Sequence, residues 1–284
     1  VILVCEDLDS GQYWENVQEG SVAMSQHVAD SANIGKGVFL GENVVIGHNV
    51  EVGNNVTIED DVVVESNALL ADNVVLKKGA IVGRNALVGY RDFRAQQANI
   101  VPAIATQIGA GTRIRSGTVI YVGTRIGESS MVGHNSVIRE NTTIGDHTYV
   151  GSLTSIEGDT RIGNYVGIHT QCHITKFCDV GDYTFIAPLF VGANDKRMTH
   201  MRRDHGEGLV GFTTEKYVRI AVAVTVLPGV HFGEGCIVGA GSLVTRDVLP
   251  YKTVMGVPAK VVKDAPRDDS VVNRNPMDRS VKRL

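Results

Sequence analysis

The sequence predicts an all-β fold: a parallel coil of three short strands per turn, stacked into a prism. Three observations predict it. Aliphatic side chains recur at every sixth residue. A second column of small or β-branched residues runs two positions ahead of them. The 284 residues include 32 Gly against 7 Pro, with 6% aromatics, a balance that favours tightly turned repeats over a conventional globule.

The elements follow in order. Residues 1–21 lack the period and form an N-terminal segment. The first run extends from Val22 to Val88, twelve positions without a miss, and the second from Ile108 to Ile186, fourteen positions. A third holds Ile220, Val226, Phe232, Val238 and Val244. In the second run the companion column reads Thr106, Thr112, Thr118, Thr124, Ser130, Ser136 and onward to Thr184. Gly often follows the aliphatic, as in Ile34-Gly35, Ile126-Gly127 and Val238-Gly239, which suggests corners needing unusual backbone angles. Three hexads close a coil of about eighteen residues with both columns pointing inward. About ten coils at ~4.8 Å give a prism on the order of 50 Å tall. No coil buries its core alone, so stability accrues through stacking.

Two breaks interrupt residues 22–262. At 89–107 the phase is lost, and Tyr90 or Phe93 could stack on a base or sugar there. The break at 187–217 is longer, and structureless loops of that length are usually functional in a compact domain. It carries Asn194, Asp195, Lys196, Arg197, His200, Arg202, Arg203 and His205, a basic set able to hold phosphates. Residues 263–284 are polar and unperiodic, and read as a C-terminal tail.

Composition excludes several classes. Apolar residues make 43% and charged residues 20%, so a large core is expected. A net charge of −4, from 27 basic and 31 acidic residues, argues against a nucleic-acid binder. No apolar run is long enough to span a membrane, and the opening VILVCEDLDSGQYW does not read as a secretory leader. Cys5, Cys172, Cys178 and Cys236 fit neither a disulfide framework nor metal spacing, so a cytoplasmic location is expected. Cys172, Cys178 and Cys236 sit in the inward small column, which explains them without catalysis. No GxSxG elbow, Walker loop or GxGxxG follows a strand.

The hexad [LIV]-G-x-x-[STAV]-x resembles that of the left-handed β-helix acyltransferases, over about residues 22–262. Gly239–Val244 (GAGSLV), Arg246-Asp247-Val248 and Gly256–Lys260 (GVPAK) resemble the C-terminal signature of the acetyltransferase branch. The resemblance implies a left-handed parallel β-helix and a homotrimer with sites between neighbouring prisms. It implies acetyl-CoA or another acyl-CoA as co-substrate, with no metal. The acceptor it implies is a small molecule, an amino group on a nucleotide-linked sugar. Backbone amides of the last coils, at Ala221, Ala223, Gly239, Ala240 and Gly241, would bind the pantetheine arm, and Lys260 the adenosine phosphates.

Direct attack of an amine on a thioester needs proton removal, charge stabilisation and alignment. Outward histidines are the natural bases: His48, His134, His147, His169 and His173, with His27 and His231 near strand ends. His134, in VGHNSVI, holds the hexad slot that carries the catalytic His in lipid A and bacillosamine-pathway acyltransferases. His48, in IGHNVEV, holds the same slot. Related proteins read IEHE or IEHH where this chain reads Ile156-Glu157-Gly158-Asp159, so Gly158 stands in place of a His. The segment FVGAND resembles the place where nucleotide-sugar N-acetyltransferases carry a functional Asn, making Asn194 a catalytic candidate, with Asp195 as partner to an ammonium. Asn135, Arg139, Glu140, Glu157, His169 and Tyr90 complete the candidate substrate-binding set.

Other readings remain open. An O-acetyltransferase on a sugar, antibiotic or lipopolysaccharide precursor belongs to the same class. A γ-carbonic anhydrase would need three His ligands, and His134, His169 and His173 invite the comparison. That family spaces its last two His by five residues, whereas here the gap is four. A non-catalytic scaffold is the third alternative, favoured by Gly158 and opposed by GAGSLV and GVPAK.

Overall fold

The computed structural model describes residues 27–91, 105–204 and 206–267. Two-residue strands such as His27–Val28, Asn33–Ile34 and Phe39–Leu40 feed in rotation three sheets of 13, 11 and 10 strands. They form the first, second and third faces of a parallel β-solenoid. Within an uninterrupted coil the register is eighteen residues, as in Met131↔Tyr149 and Val137↔Ser155. The second residue of nearly every strand is the inward aliphatic expected from the hexad, from Ile46 to Val244.

The core has two chemistries. In the early coils the companion column is apolar: Val44, Val50, Val56, Val62, Ala68 and Val74 are fully buried. From Thr106 to Thr160 it is hydroxylic and equally buried. These hydroxyls are satisfied by neighbouring coils, as buried polar groups must be. Thr148 Oγ1 donates to the Gly163 carbonyl at 2.9 Å and accepts from the Val166 amide at 3.1 Å. Thr148→Val keeps the shape but strands both partners, so a loss of about 1–2 kcal/mol is expected in urea denaturation.

The solenoid has about 12 turns, more than the ten expected, and the second insertion is shorter than 187–217. Strands Val191–Gly192 and Thr213–Thr214 lie inside that break and pair with both neighbours. They escaped the aliphatic count because their volumes are exchanged between columns. Phe190 and Phe212 fill the small column, while Gly192 and Thr214 take the aliphatic place. A Cβ on Gly192 would lie 2.9 Å from the Phe212 ring. The first insertion is likewise narrower, because strand Leu87–Tyr90 continues past Val88 and Gln107–Ile108 resumes the period. Phe93 lies outside the described residues.

At the C-terminal end Lys252–Gly256 pairs parallel with Ile237–Val238, and Ala259–Asp264 returns antiparallel. The strand runs past the expected tail boundary at 263, and buried Ala265 donates its amide to the Tyr251 carbonyl at 2.8 Å. The N-terminal segment 1–21 and residues 268–284 are outside the described residues. Among those described, no helix is long and apolar enough to cross a membrane.

Candidate functional site

Both insertions leave the prism at one edge. Each connects a second-face strand to a third-face strand, Leu87–Tyr90 to Gln107–Ile108 and Val191–Gly192 to Thr213–Thr214. Between them the same edge carries a charged and aromatic strip. Tyr90 and Tyr121 meet edge to face at 5.1 Å. The Arg139 guanidinium lies 4.6 Å from the centre of the Tyr121 ring. Arg139 also grips Glu140 with two hydrogen bonds, Nε at 2.7 Å and Nη2 at 3.2 Å, and this fork geometry is rigid. The Glu140 hydrogen bond, against the opposing effect of burial, holds the Arg139 pKa above its ordinary value, and Glu157 adds to it.

Gly158 has a structural reason. A Cβ there would lie 2.9 Å from the Glu140 carbonyl oxygen and 3.1 Å from its carboxylate. The Glu140 backbone and carboxylate therefore crowd the space that a side chain at position 158 would need. Below it, Lys176 pairs with Asp159 at 2.9 Å, and Asn141 donates to Asp159 at 3.1 Å. Burial opposes ionisation of Asp159, but these two hydrogen bonds hold its pKa below the usual carboxylate value. Tyr121, Asp159 and Lys176 were not among the sequence candidates. Reading the chain in columns of eighteen would have aligned Asn141 with Asp159 and exposed the strip.

The candidates in the second insertion behave differently. Asp195 accepts from the Arg197 amide at 2.8 Å and from the Thr199 amide and hydroxyl at 2.8 and 3.0 Å. The Thr199 amide leads in holding its pKa below the usual range. Asp195 thus organises its own loop, which is the turn-forming role of an Asn-Asp pair. The Asn194 carbonyl accepts from Val210 at 2.9 Å and closes the loop base. Arg197 and Arg202 are both paired with Asp204. His205 is outside the described residues.

His134 is a face away, exposed on the edge between the first and second faces. Its amide donates to Ser152 Oγ at 3.0 Å. Asn135 beside it is a left-handed corner residue (φ 53) whose amide lobe covers Gly117. His169 starts a corner of that edge, and its ring lies between Tyr149 and Phe185 of the first face, at 5.8 and 5.2 Å. The structure therefore does not bring His134 to Asn194, Arg139 or Glu140.

The donor candidates share that first–second edge, at its C-terminal end. Gly239 follows Val132 by five strand steps on the first face, about 24 Å at the usual spacing. The amides of Ala221, Ala223, Gly239 and Gly241 already donate to Val238, Pro188, Val254 and Val222 carbonyls at 2.8–3.0 Å. They are committed to the solenoid, which corrects the expectation that they are open donors. Ala240 points differently: its amide has no acceptor among the described residues. Lys260 pairs with Met255, whose Cβ would meet a Cβ on Gly239 at 2.7 Å. Ala240 and Lys260 thus lie at one end of one edge.

Cys172, Cys178 and Cys236 are buried, and burial pushes the Cys178 and Cys236 thiols up to about 12. No three His, Cys, Asp or Glu among the described residues of one chain cluster as metal ligands.

Residues 31–66 and 123–158 match the bacterial transferase hexapeptide (six repeats), and residues 221–246 the hexapeptide repeat of succinyl-transferase. A Staphylococcus aureus (strain COL) protein, itself only provisionally named an acetyltransferase, is 34% identical over 117 residues, 39% of this chain and 57% of that protein. The galactoside O-acetyltransferase of Escherichia coli (strain K12) is 34% identical over 88 residues, 30% of this chain and 43% of that protein. The chain thus spans about half the length of the curated relatives it matches. Among solved structures, the Arabidopsis UDP-N-acetylglucosamine acyltransferase aligns over 84% of this chain and 73% of that one, at 22% identity and a TM-score of 0.47. The chain thus carries matched hexapeptide repeats at these residues, within a three-sheet solenoid of the same period.

Proposed function

We propose that the protein is an acyl-CoA-dependent acyltransferase that moves an acetyl group from acetyl-CoA to an amino group of a nucleotide-linked sugar. The carrying observation is the edge where two insertions bracket Tyr121, Arg139, Glu140, Asp159 and Lys176. Such a strip suits an acceptor with both charges: carboxylates for an amine, Arg139 and Lys176 for phosphates, tyrosines for a flat ring. The coenzyme enters at Ala240 and Lys260 and runs along the second face toward this edge. There the outward side chains change from the wholly apolar run Leu69, Leu87, Val119 and Val137 to a run that carries the polar Ser155, His173 and Thr225 beside Val191 and Leu243. The apolar stretch and the apolar part of the first face are packed by neighbouring copies in a homotrimer, which leaves the polar stretch as a cleft wall. In the reaction the amine lone pair attacks the thioester carbon, a C–N bond forms, and the C–S bond breaks to release the coenzyme thiol.

Acetyl-CoA is expected to bind wild type in calorimetry, with about 5- to 10-fold weaker affinity for Lys260→Ala from loss of a charged phosphate contact. Absence of binding to acetyl-CoA and longer acyl-CoAs would remove the transferase reading. The name of the galactoside O-acetyltransferase relative favours a second reading, ester formation on a sugar hydroxyl. Treating the acylated product with hydroxylamine separates the two, since an ester is cleaved and an amide survives.

A further inference from the structure

A second arrangement lies on the second face, in the same coils as the lower part of the strip. Ser155-Ile156-Glu157 is followed by His173, and Thr213-Thr214-Glu215 by His231, with the same separations. On the third face this pattern is closed. Thr213 and His231 are register partners, with Thr213 Oγ1 2.9 Å from His231 Nδ1, and His231 Nε2 lies 3.4 Å from a Glu215 carboxylate oxygen. On the second face Ser155 and His173 are register partners in the same way. Here Glu157 takes the Ser155 hydroxyl instead, at 3.5 Å, a long contact that a rotation of the carboxylate gives up. His173 is half-buried between Ser155 and Val191, three residues from Lys176 of the strip. The ionisable groups around it are Glu157 one coil above, Arg139 beyond that, and Asp159 and Lys176 around the edge.

We propose that His173 is the proton acceptor of the transfer reaction, with Glu157 as the positioning carboxylate that fixes its ring. The inference rests on the acyltransferase reading. It places a base on the same wall as the strip, one coil beyond Gly158. As the acceptor nitrogen bonds to the thioester carbon, His173 takes the proton that nitrogen sheds, and the departing thiolate or solvent receives it afterwards. Products are the amide and free coenzyme thiol, so atoms and charge balance with no further reactant. A histidine suits the task because its ordinary pKa lies near working pH.

The test uses the full chain with acetyl-CoA and UDP-glucosamine, reading thiol release across pH, with acetyl-CoA affinity by calorimetry in parallel. His173→Gln is expected to lower kcat by about 100-fold or more, with acetyl-CoA affinity within about twofold of wild type. Wild-type activity should rise with pH through a histidine-like limb, and His173→Gln should abolish that limb. Glu157→Gln should lower kcat by about tenfold while KM and acetyl-CoA affinity stay within about twofold of wild type, the split expected of a positioning residue. His231→Gln serves as the folding and chemistry control, with unchanged kcat, because its equivalent pattern lies on the third face. Thermal unfolding of each variant separates misfolding from chemistry. A His173→Gln enzyme with wild-type melting, kcat and pH limb would overturn the assignment while leaving the transferase reading intact. A wild type that binds acetyl-CoA yet never acylates UDP-glucosamine would overturn both the amine acceptor and the base.

Discussion

Phe212→Ala is expected to destabilise the solenoid by about 3–5 kcal/mol, the usual cost of emptying a buried aromatic site. Phe212 is fully buried, with its ring centre 5.1 Å from that of Phe190 and 6.3 Å from that of Phe232. Neighbouring coils cannot close the cavity, because each is tied to the next by a parallel ladder at fixed spacing. Gly192 beside it offers no side chain to fill the void. The measurement is urea denaturation, read beside Val180→Ala, a smaller deletion one coil earlier. A loss for Phe212→Ala no greater than for Val180→Ala would mean that the exchanged columns do not carry the junction at the second insertion.

The second large effect comes from adding a single carbon. Gly151→Ala is expected to cost about 2–3 kcal/mol by overpacking. Its Cβ would lie 2.5 Å from both the His169 carbonyl carbon and the Thr170 amide nitrogen, and those are backbone atoms with no rotamer to relieve them. The Gly151 amide also donates to the Ile168 carbonyl at 2.7 Å, so the coils cannot part without breaking a ladder bond. Gly79→Ala is the informative comparison. Gly79 has φ +67 but nothing nearer than 4.0 Å to its Cβ position. It should lose only about 1 kcal/mol, from left-handed strain alone. Equal melting shifts for the two would mean that close approach between coils is not what requires glycine at Gly151.

The strip between the insertions was partly legible. Arg139, Glu140, Glu157 and Tyr90 were named from sequence and stand on one edge. Tyr121 and Lys176 were missed because they meet their partners across coils, where sequence neighbours say nothing. Asn194 and Asp195 were legible only as a turn-forming pair, and the turn is what the structure shows them making. His134 was singled out by its slot in the hexad, but that slot recurs at all three edges and carries no information on which one.

The hexad by itself determined the all-β class, the inward columns and the burial of three cysteines. Those features are local, since each strand needs only its own two inward residues. The hexad misplaced the reason for its glycines: Gly35, Gly127 and Gly239 have ordinary backbone angles and are required by the close approach of the next coil, not by a positive φ. What only the tertiary structure decided is which residues share an edge. Face assignment is a count by threes along the chain, and each insertion interrupts that count by a length the hydrophobic pattern cannot parse. At the second insertion the pattern also failed to mark Gly192 and Thr214 as inward, because volume had moved to Phe190 and Phe212. Stacking alone restores the count: parallel pairing at a register of eighteen admits one neighbour above and one below. It thereby sets both insertions on one edge and His134 on another.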